Sequence, residues 1–429
     1  MAQILLLTIF LLGIIAIALE DKLKVNKAAV ALLMSVLAWL VVATSGICED
    51  PIEPFVKHLG EVSETLFFVL GSLTIIELVD AHGGFKSAVN LIKTRRKRSL
   101  LWTICLMGFF FSALLDNIAA AVIIISIVRK LVPSKEDRLL FAGMIIISCN
   151  AGGAFSPIGD VTTIILWTGG NISPAHQITH LFLPALTCMV VPLFFASRHF
   201  AKNDKFEELN PDIEDKSINI THTSRLLMLT WAIITMISVP IIQQLTALPP
   251  FMPVMFGLAV LWLYTDIMYN KHPEIKRQMH MCDALRNADM GTILFFLGIL
   301  MTVSALDTSG ILITVGAMLE STIGSALGVS FTIGALSSVV DNVALVAATQ
   351  GMYDLAETGT YMVNSEFWTF LAYCSVTGGS LLIIGSATGV TVMGMEKVSF
   401  TYYLRKFSMY AALGFVSGAG VFLLLNQLS

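Results

Sequence analysis

Charge is scarce in this chain: only 13% of its 429 residues are Asp, Glu, Lys or Arg, while 56% are hydrophobic and the mean hydropathy is +0.80. Soluble globular domains carry about 25% charged residues, so the polar groups are too few to solvate the surface of a protein this size. A soluble enzyme, a disordered chain and a disulfide scaffold are excluded. At about 20 residues per transmembrane helix, the apolar content bounds the chain at roughly a dozen spans. A basic excess is also missing: the net charge of −4 and pI near 6.1 leave no face for nucleic-acid phosphates. The six cysteines (Cys48, Cys105, Cys149, Cys188, Cys282, Cys374) form no Cys-x-x-Cys pair and have no His at metal-ligand spacing. They read as small hydrophobes packed in the membrane. The first apolar run, Ile4 to Leu19, lacks a preceding basic residue and a following cleavage site, so it is expected to be a retained helix and not a signal peptide.

Apolar runs between charged or Pro/Asn-rich breaks predict ten spans near 3–19, 27–46, 64–80, 138–170, 179–197, 226–243, 251–269, 290–306, 367–393 and 407–427. Two further stretches, 99–128 and 325–350, carry an Asp-Asn pair in the middle, Asp116-Asn117 and Asp341-Asn342. They are read as re-entrant helical hairpins, which are tolerated at membrane depth only when buried in protein or facing a watery cavity. With this count, all of the 26 Lys and Arg except Lys57 fall on one side and none remains inside the membrane. The positive-inside rule makes that side cytoplasmic and turns both termini outward.

Three blocks recur between the halves at nearly constant offset. Phe68-Val-Leu-Gly71 with Asp80 and Gly83 matches Phe295-Phe-Leu-Gly298 with Asp307 and Gly310, an offset of 227. Ser112, Asp116, Asn117 and Ala119 match Ser337, Asp341, Asn342 and Ala344, an offset of 225. Gly152-Gly153, Gly159 and Thr162 match Gly378-Gly379, Gly385 and Thr388, an offset of 226. An odd number of crossings per copy turns the second copy upside down, and inverted repeats with broken helices place a site near the membrane midplane. The expected fold is an all-α polytopic membrane protein with two inverted-topology repeats: about ten transmembrane helices, two re-entrant hairpins and two broken helices. The repeats are 1–200 and 225–429, and 201–224 is a cytoplasmic linker.

Ser148-Cys-Asn-Ala-Gly-Gly-Ala-Phe-Ser-Pro-Ile-Gly-Asp160 places three glycines and a proline in an otherwise apolar helix, a density that breaks it. The break frees backbone carbonyls beside Ser148, Asn150, Ser156, Thr162 and Thr163, the oxygen donors that hard cations prefer. The second copy repeats the break from Thr377 to Ser386 without the proline. At each hairpin tip the Asp-Asn pair could be a simple helix cap. However, a charged Asp at the bilayer centre costs roughly 2.5–3.5 kcal/mol, and a neutral cap would avoid that cost. Asp116, Asp341 and Asp160 are therefore candidate cation and proton ligands, with Ser112 and Ser337 one turn earlier as hydroxyl donors. Asp160 is matched by Ser386 and Asn150 by Val376, so the more acidic first half is expected to hold the principal site. Glu64 and Glu77 are candidates for a proton path, together with Asp80 and Asp307 at span ends. Carboxylates without a fixed positive partner should bind a cation or a proton.

Asn150-Ala-Gly-Gly-Ala-Phe-Ser-Pro-Ile-Gly-Asp-Val-Thr-Thr163 and Leu115-Asp-Asn-Ile-Ala119 resemble the NhaD-type sodium/proton antiporters of the ion transporter superfamily, along nearly the whole chain. That superfamily also holds arsenite permeases and dicarboxylate/sodium symporters. The resemblance implies exchange of Na⁺, and often Li⁺, for H⁺ across a bacterial inner membrane, with no cofactor. It also implies a homodimer in which a transport domain moves against a scaffold. In the symporter branch the hairpin tips resemble Ser-Asn-Thr and bind sodium. Ser112, Asp116, Asn117 and Ser337, Asp341, Asn342 stand in those places here, which implies Na⁺ at both tips, and the added Asp at each tip argues against an organic anion.

The expected mechanism is competition of Na⁺ and H⁺ for the same carboxylates. An ordinary aspartate titrates at about pH 3.9, and burial beside a like charge can lift a carboxyl into the neutral range. Two alternatives are a cation-coupled transporter of a small anion or arsenite, and an intramembrane aspartyl protease. The protease reading fits poorly, because Pro157 stands where its motif wants Gly and the duplicated hairpins have no role there.

Overall fold

The computed structural model describes residues 2–84, 94–201, 204–206, 222–246, 248–269, 284–285, 289–398 and 400–428. Most of the expected linker lies outside these residues, as do Lys86, Lys93, Lys202, Lys216, Lys271, Lys276, Arg277, Arg286 and Cys282. The apolar runs are helical: α1 (Ala2–Ala18), α2 (Glu20–Leu23), α3 (Lys27–Ser45), α4 (Ile52–Ala81), α5 (Lys97–Leu115), α6 (Asn117–Leu131), α7 (Lys135–Phe155), α8 (Val161–Thr168), α9 (Pro174–Ser197), α10 (His222–Thr246), α11 (Phe251–Tyr269), α12 (Met290–Thr308), α13 (Ile311–Ile323), α14 (Ala326–Leu336), α15 (Asn342–Met352), α16 (Glu366–Gly378), α17 (Ala387–Glu396), α18 (Phe400–Lys406) and α19 (Ser408–Leu428). Among the described residues nine helices are long and apolar enough to cross a membrane. The protein is an all-α polytopic membrane protein.

Boundaries differ from the sequence reading in three places. α4 begins at Ile52 and not near 64, because its first turns carry Glu53, Lys57, His58 and Glu61 and look polar in sequence. α5 has 19 residues and alone is long enough to cross, whereas α14 and α15 have 11 each, about 16 Å at 1.5 Å per residue, and cannot. No element is predicted over 311–323, yet α13 occupies it, bent 110° from α14. Left-handed glycines, Gly310 (φ 73°) and Gly324 (φ 77°), bound that helix at both ends, where a side chain would strain the backbone.

Polar contacts at the helix ends fix how the elements run. α5 starts at the same end of the molecule as α7, since Lys97 Nζ lies 2.9 Å from Asp137. α6 returns to that end, because Arg129 and Arg138 share Glu396, the last residue of α17, at 2.7 and 3.4 Å. The second pair does the same around the start of α16. Ser330 Oγ of α14 donates to the Phe367 carbonyl at 3.1 Å, and Tyr353, just past α15, packs edge-on against the Phe367 ring. That end also receives the end of α8, where the Asn364 amide donates to the Asn171 carbonyl at 2.8 Å. Thus α16 and α17 run opposite to α7 and α8, and the two Asp-Asn turns are approached from opposite ends.

Packing falls into two groups. In one, α3 lies along α12, with α1, α4, α10 and α11 around them. Gly298 brings α12 against the backbone of Ala31, and the buried Trp39 indole donates to the Met301 carbonyl at 2.8 Å. In the other, α5, α6 and α9 pack on α7, α14 on α16, and α19 on α9. The groups meet chiefly where α12 passes α15 and α4 passes α8.

Candidate cation and proton site

The first break has a local cause. Pro157 has no amide proton and disfavours helical backbone in the residue before it, and Ser156 is extended (φ −102°, ψ 138°). The carbonyls freed at Ala154 and Ser156 accept from Gln177 Nε2 of α9, each at 3.1 Å. Asp160 then starts α8 as its N-cap: Oδ1 accepts from the Thr162 amide at 2.8 Å and the Thr162 hydroxyl at 2.6 Å. Thr163 closes the capping box on the Asp160 backbone. The second break has no proline. There Ser386 caps α17 by accepting from the Gly389 amide at 3.1 Å, and Tyr403 donates to the Ser380 carbonyl at 2.7 Å. Asp160 and Ser386 thus do the same local work 226 positions apart.

The glycine blocks let each hairpin limb press against a broken helix. A methyl on Gly152 would collide with the Phe109 carbonyl, and one on Gly378 with the Gly334 carbonyl. A methyl on Gly159 or Gly385 would crowd the carbonyls of Ser112 and Ser337 at 3.0 and 2.6 Å. Ser112 Oγ donates to the Cys149 carbonyl at 2.6 Å, and Ser337 Oγ to the Ser375 carbonyl at 2.8 Å. These paired contacts repeat the sequence offset of 225–226 in three dimensions. Each such buried bond contributes about 0.5–1.5 kcal/mol.

Asp160 is the point where the halves converge. The amide of Asn117, from the first Asp-Asn turn, donates to its Oδ2, and the amide of Asn342, from the second, lies 3.4 and 3.5 Å from its two oxygens. Asn117 also donates to Asn150 Oδ1 at 3.2 Å, and Asn150 passes the chain on to the hydroxyls of Ser380 and Ser386 at 2.8 and 3.1 Å. Asp160, Asn117, Asn150, Asn342, Ser380 and Ser386 are all buried. Gln177, Ser380 and Tyr403 have no signature in the sequence, since a lone polar residue within an apolar run carries no periodic signal.

The two hairpin aspartates stand differently. Asp341 has an ordinary N-cap backbone (φ −52°) and accepts from the Val343 amide at 3.0 Å. Asp116 has φ 122° and ψ 145°, a region that is essentially reserved for glycine and costs of order 1–3 kcal/mol elsewhere. Its side chain makes no cap, and its buried Oδ1 has no hydrogen-bond partner among the described residues. It lines a narrow cleft between α4, the first break and α12.

The remaining candidates are dispersed. Ser156 Oγ donates to the Ala113 carbonyl at 2.5 Å and so ties the break to the first hairpin. Thr377 bonds back along its own helix to the Tyr373 carbonyl at 2.6 Å and does not turn to the hub. Glu64 and Asp307 line a separate cavity of about 410 Å³ at the opposite end, where His58 lies 3.9 Å from Asp307. Glu77, half-buried, and Asp80, exposed, do not line it. One basic residue qualifies the expectation of a site without cations: Lys27, the first residue of α3, sits 5.0 Å from the Phe295 ring, close enough to Asp341 to act on its charge.

The family model described as citrate transporter matches residues 10–370. The chain is 40% identical to "Sodium/proton antiporter 1" of Arabidopsis thaliana over 98% of its own length and 72% of the relative's. It is 38% identical to "Sodium/proton antiporter 2" of the same plant, over 98% and 99% of the two chains. It is also 28% identical to the "Na(+)/H(+) antiporter NhaD" of Vibrio cholerae over 99% and 92% of the two chains. With a buried carboxylate hub, two Asp-Asn turns and near full-length similarity to these relatives, the chain belongs to the citrate transporter family, in its branch of NhaD-type sodium/proton antiporters.

Proposed function

We propose that the protein exchanges Na⁺, and Li⁺ as well, for H⁺, with Asp116 and Asp160 binding the metal cation or the proton in turn. The observation that carries this reading is the pairing of a buried, unpartnered Asp116 oxygen with a carboxylate hub on which both asparagines converge. A hard cation wants oxygen ligands, and Asp116, Asp160 and the Asn150 amide oxygen supply them. Asp341 and Asn342, with Ser337, are the second-half counterpart, placed for a second Na⁺ or for charge balance. Glu64 and Asp307 attract protons and cations to the cavity at the other end.

The two halves act as inverted repeats, a reading supported by their antiparallel broken helices and by turns approached from opposite ends. The group built on α3, α4 and α12 is the scaffold, and the group holding both turns and both breaks moves against it in an elevator-like cycle. The moving group crosses only with its charge neutralised, since a bare carboxylate in the bilayer is costly. We place the chain as a homodimer in a bacterial inner membrane, with the basic face cytoplasmic and both termini outside.

The description of the family model by citrate favours a second reading, cotransport of a small carboxylate with a cation. Two carboxylates at the site repel such an anion, and uptake of labelled citrate by membrane vesicles is expected to stay at background. The main test is a pH-dye assay in everted vesicles with Na⁺, Li⁺ and K⁺ added in turn. Na⁺ should collapse the proton gradient in wild type and have no effect in Asp116→Asn present in equal amount. Full Na⁺-dependent exchange in Asp116→Asn would overturn the assignment.

A further inference from the structure

The cleft that Asp116 lines is small, about 50 Å³, and it has a neighbour. A second cavity of about 170 Å³ shares Ile118, Asp289 and Thr292 with it and adds Glu20, Asn26 and Lys27. The narrow space therefore has Asp116 on its wall, and the wide one reaches the face that bears Lys27. The cavity of about 410 Å³ at the opposite end is lined by neither Asp116 nor Asp160.

Between the two spaces stands Asp289, exposed and held in place at the N-terminus of α12. Its Oδ1 accepts from the Thr292 amide at 3.1 Å and its Oδ2 from the Thr292 hydroxyl at 2.6 Å. This fixed carboxylate faces the shared boundary, while the Lys27 ammonium stands at the wide end over Phe295. A cation moving through would be drawn by the first and opposed by the second.

We propose that the two spaces form one passage through which Na⁺ exchanges between Asp116 and the Lys27-bearing face, with Asp289 as the positioning carboxylate and Lys27 as the opposing charge. This rests on the reading of Asp116 as a cation ligand and adds the route, its side and two residues that set how readily it fills. Asp289 does not hold the transported ion at the hub. Its role is to raise the local cation concentration in a cleft with low-dielectric walls.

The test compares Asp289→Asn and Lys27→Gln with wild type, assaying Na⁺/H⁺ exchange with Na⁺ presented from one face at a time in everted and right-side-out vesicles. Asn is as good an N-cap as Asp, so α12 keeps its start while the charge is lost. From the Lys27 face, the KM for Na⁺ should rise by about threefold to tenfold in Asp289→Asn with kcat unchanged, and KM should fall in Lys27→Gln. From the opposite face, KM should not move. Both shifts should shrink in concentrated choline chloride, where screening shortens the reach of a charge. An unchanged KM in both variants, equal changes from the two faces, or shifts of the same sign would overturn the passage. So would loss of all exchange in Asp289→Asn at normal membrane abundance, which would make Asp289 a ligand of the ion. Failure of the underlying reading shows separately, as exchange retained in Asp116→Asn.

Discussion

Replacing Asp160 by Asn changes the hub by one charge and almost no volume, so it separates what the carboxylate binds from what it holds together. In the native hub Oδ1 serves the Thr162 amide and hydroxyl, and Oδ2 faces the amide of Asn117. An Asn there keeps the first set but points an NH₂ at another NH₂. Asn117 can turn around, which then opposes its oxygen to the oxygen of Asn150, now 3.2 Å from Asn117 Nδ2. Asn150 can turn in its place, because its partners at 2.8 and 3.1 Å are the hydroxyls of Ser380 and Ser386, which donate as readily as they accept. The relay leaves the Asn342 amide as the main loss. One buried group left unsatisfied costs about 1–3 kcal/mol, so the melting temperature of the detergent-purified variant should fall by only a few degrees. Cation binding loses far more: a unit charge at about 4 Å and an effective dielectric of about 20 contributes roughly 4 kcal/mol, about a thousandfold in affinity. Calorimetric Na⁺ titration of the purified variant, with the vesicle exchange assay, reads both effects. A folded Asp160→Asn that binds Na⁺ within about tenfold of wild type and exchanges normally would refute the assignment of Asp160 as a ligand.

Gly152→Ala and Gly378→Ala should each block assembly of the transporter, because the new methyl meets backbone carbonyls that cannot swing aside. Their cost should exceed the roughly 1–3 kcal/mol of ordinary overpacking. The control Gly60→Ala, with open space around it, should stabilise by about 0.5–1 kcal/mol in thermal unfolding. Asp116→Gly should raise stability by about 1–3 kcal/mol through relief of the φ 122° backbone while abolishing exchange. A destabilised Asp116→Gly would show that the conformation carries no strain.

The features legible in sequence are those whose chemistry is rare in an apolar chain. Asp116-Asn117, Asp341-Asn342 and the Gly-Gly blocks stand out because charge and missing side chains are costly in membrane helices, and their offset survives as paired contacts. The proline signalled the first break and the extended backbone at Ser156 explains it. Gln177 and Tyr403 are not legible in the sequence, because closing a freed carbonyl needs a single polar atom delivered from a distant helix, with no local pattern around it. The strain at Asp116, the relaxed cap at Asp341 and the convergence of both asparagines on Asp160 depend on tertiary packing. Both turns carry the same Asp-Asn pair in sequence, and the fold gives the two aspartates different backbones and partners. The polar first turns of α4 show the converse, since pattern reading ended the span at Glu64 where the helix continues to Ile52.

Na⁺ and H⁺ are expected to compete for the same carboxylates, Asp116 and Asp160. Calorimetric titration of the purified wild-type protein with Na⁺ from acidic to alkaline pH, in buffers of different ionisation enthalpy, measures that competition. Competition predicts that Na⁺ binding releases protons, seen as a buffer-dependent heat, and that Kd weakens by about tenfold per pH unit once the carboxylates protonate. A Na⁺ affinity that stays constant with pH, with no buffer-dependent heat, would contradict it.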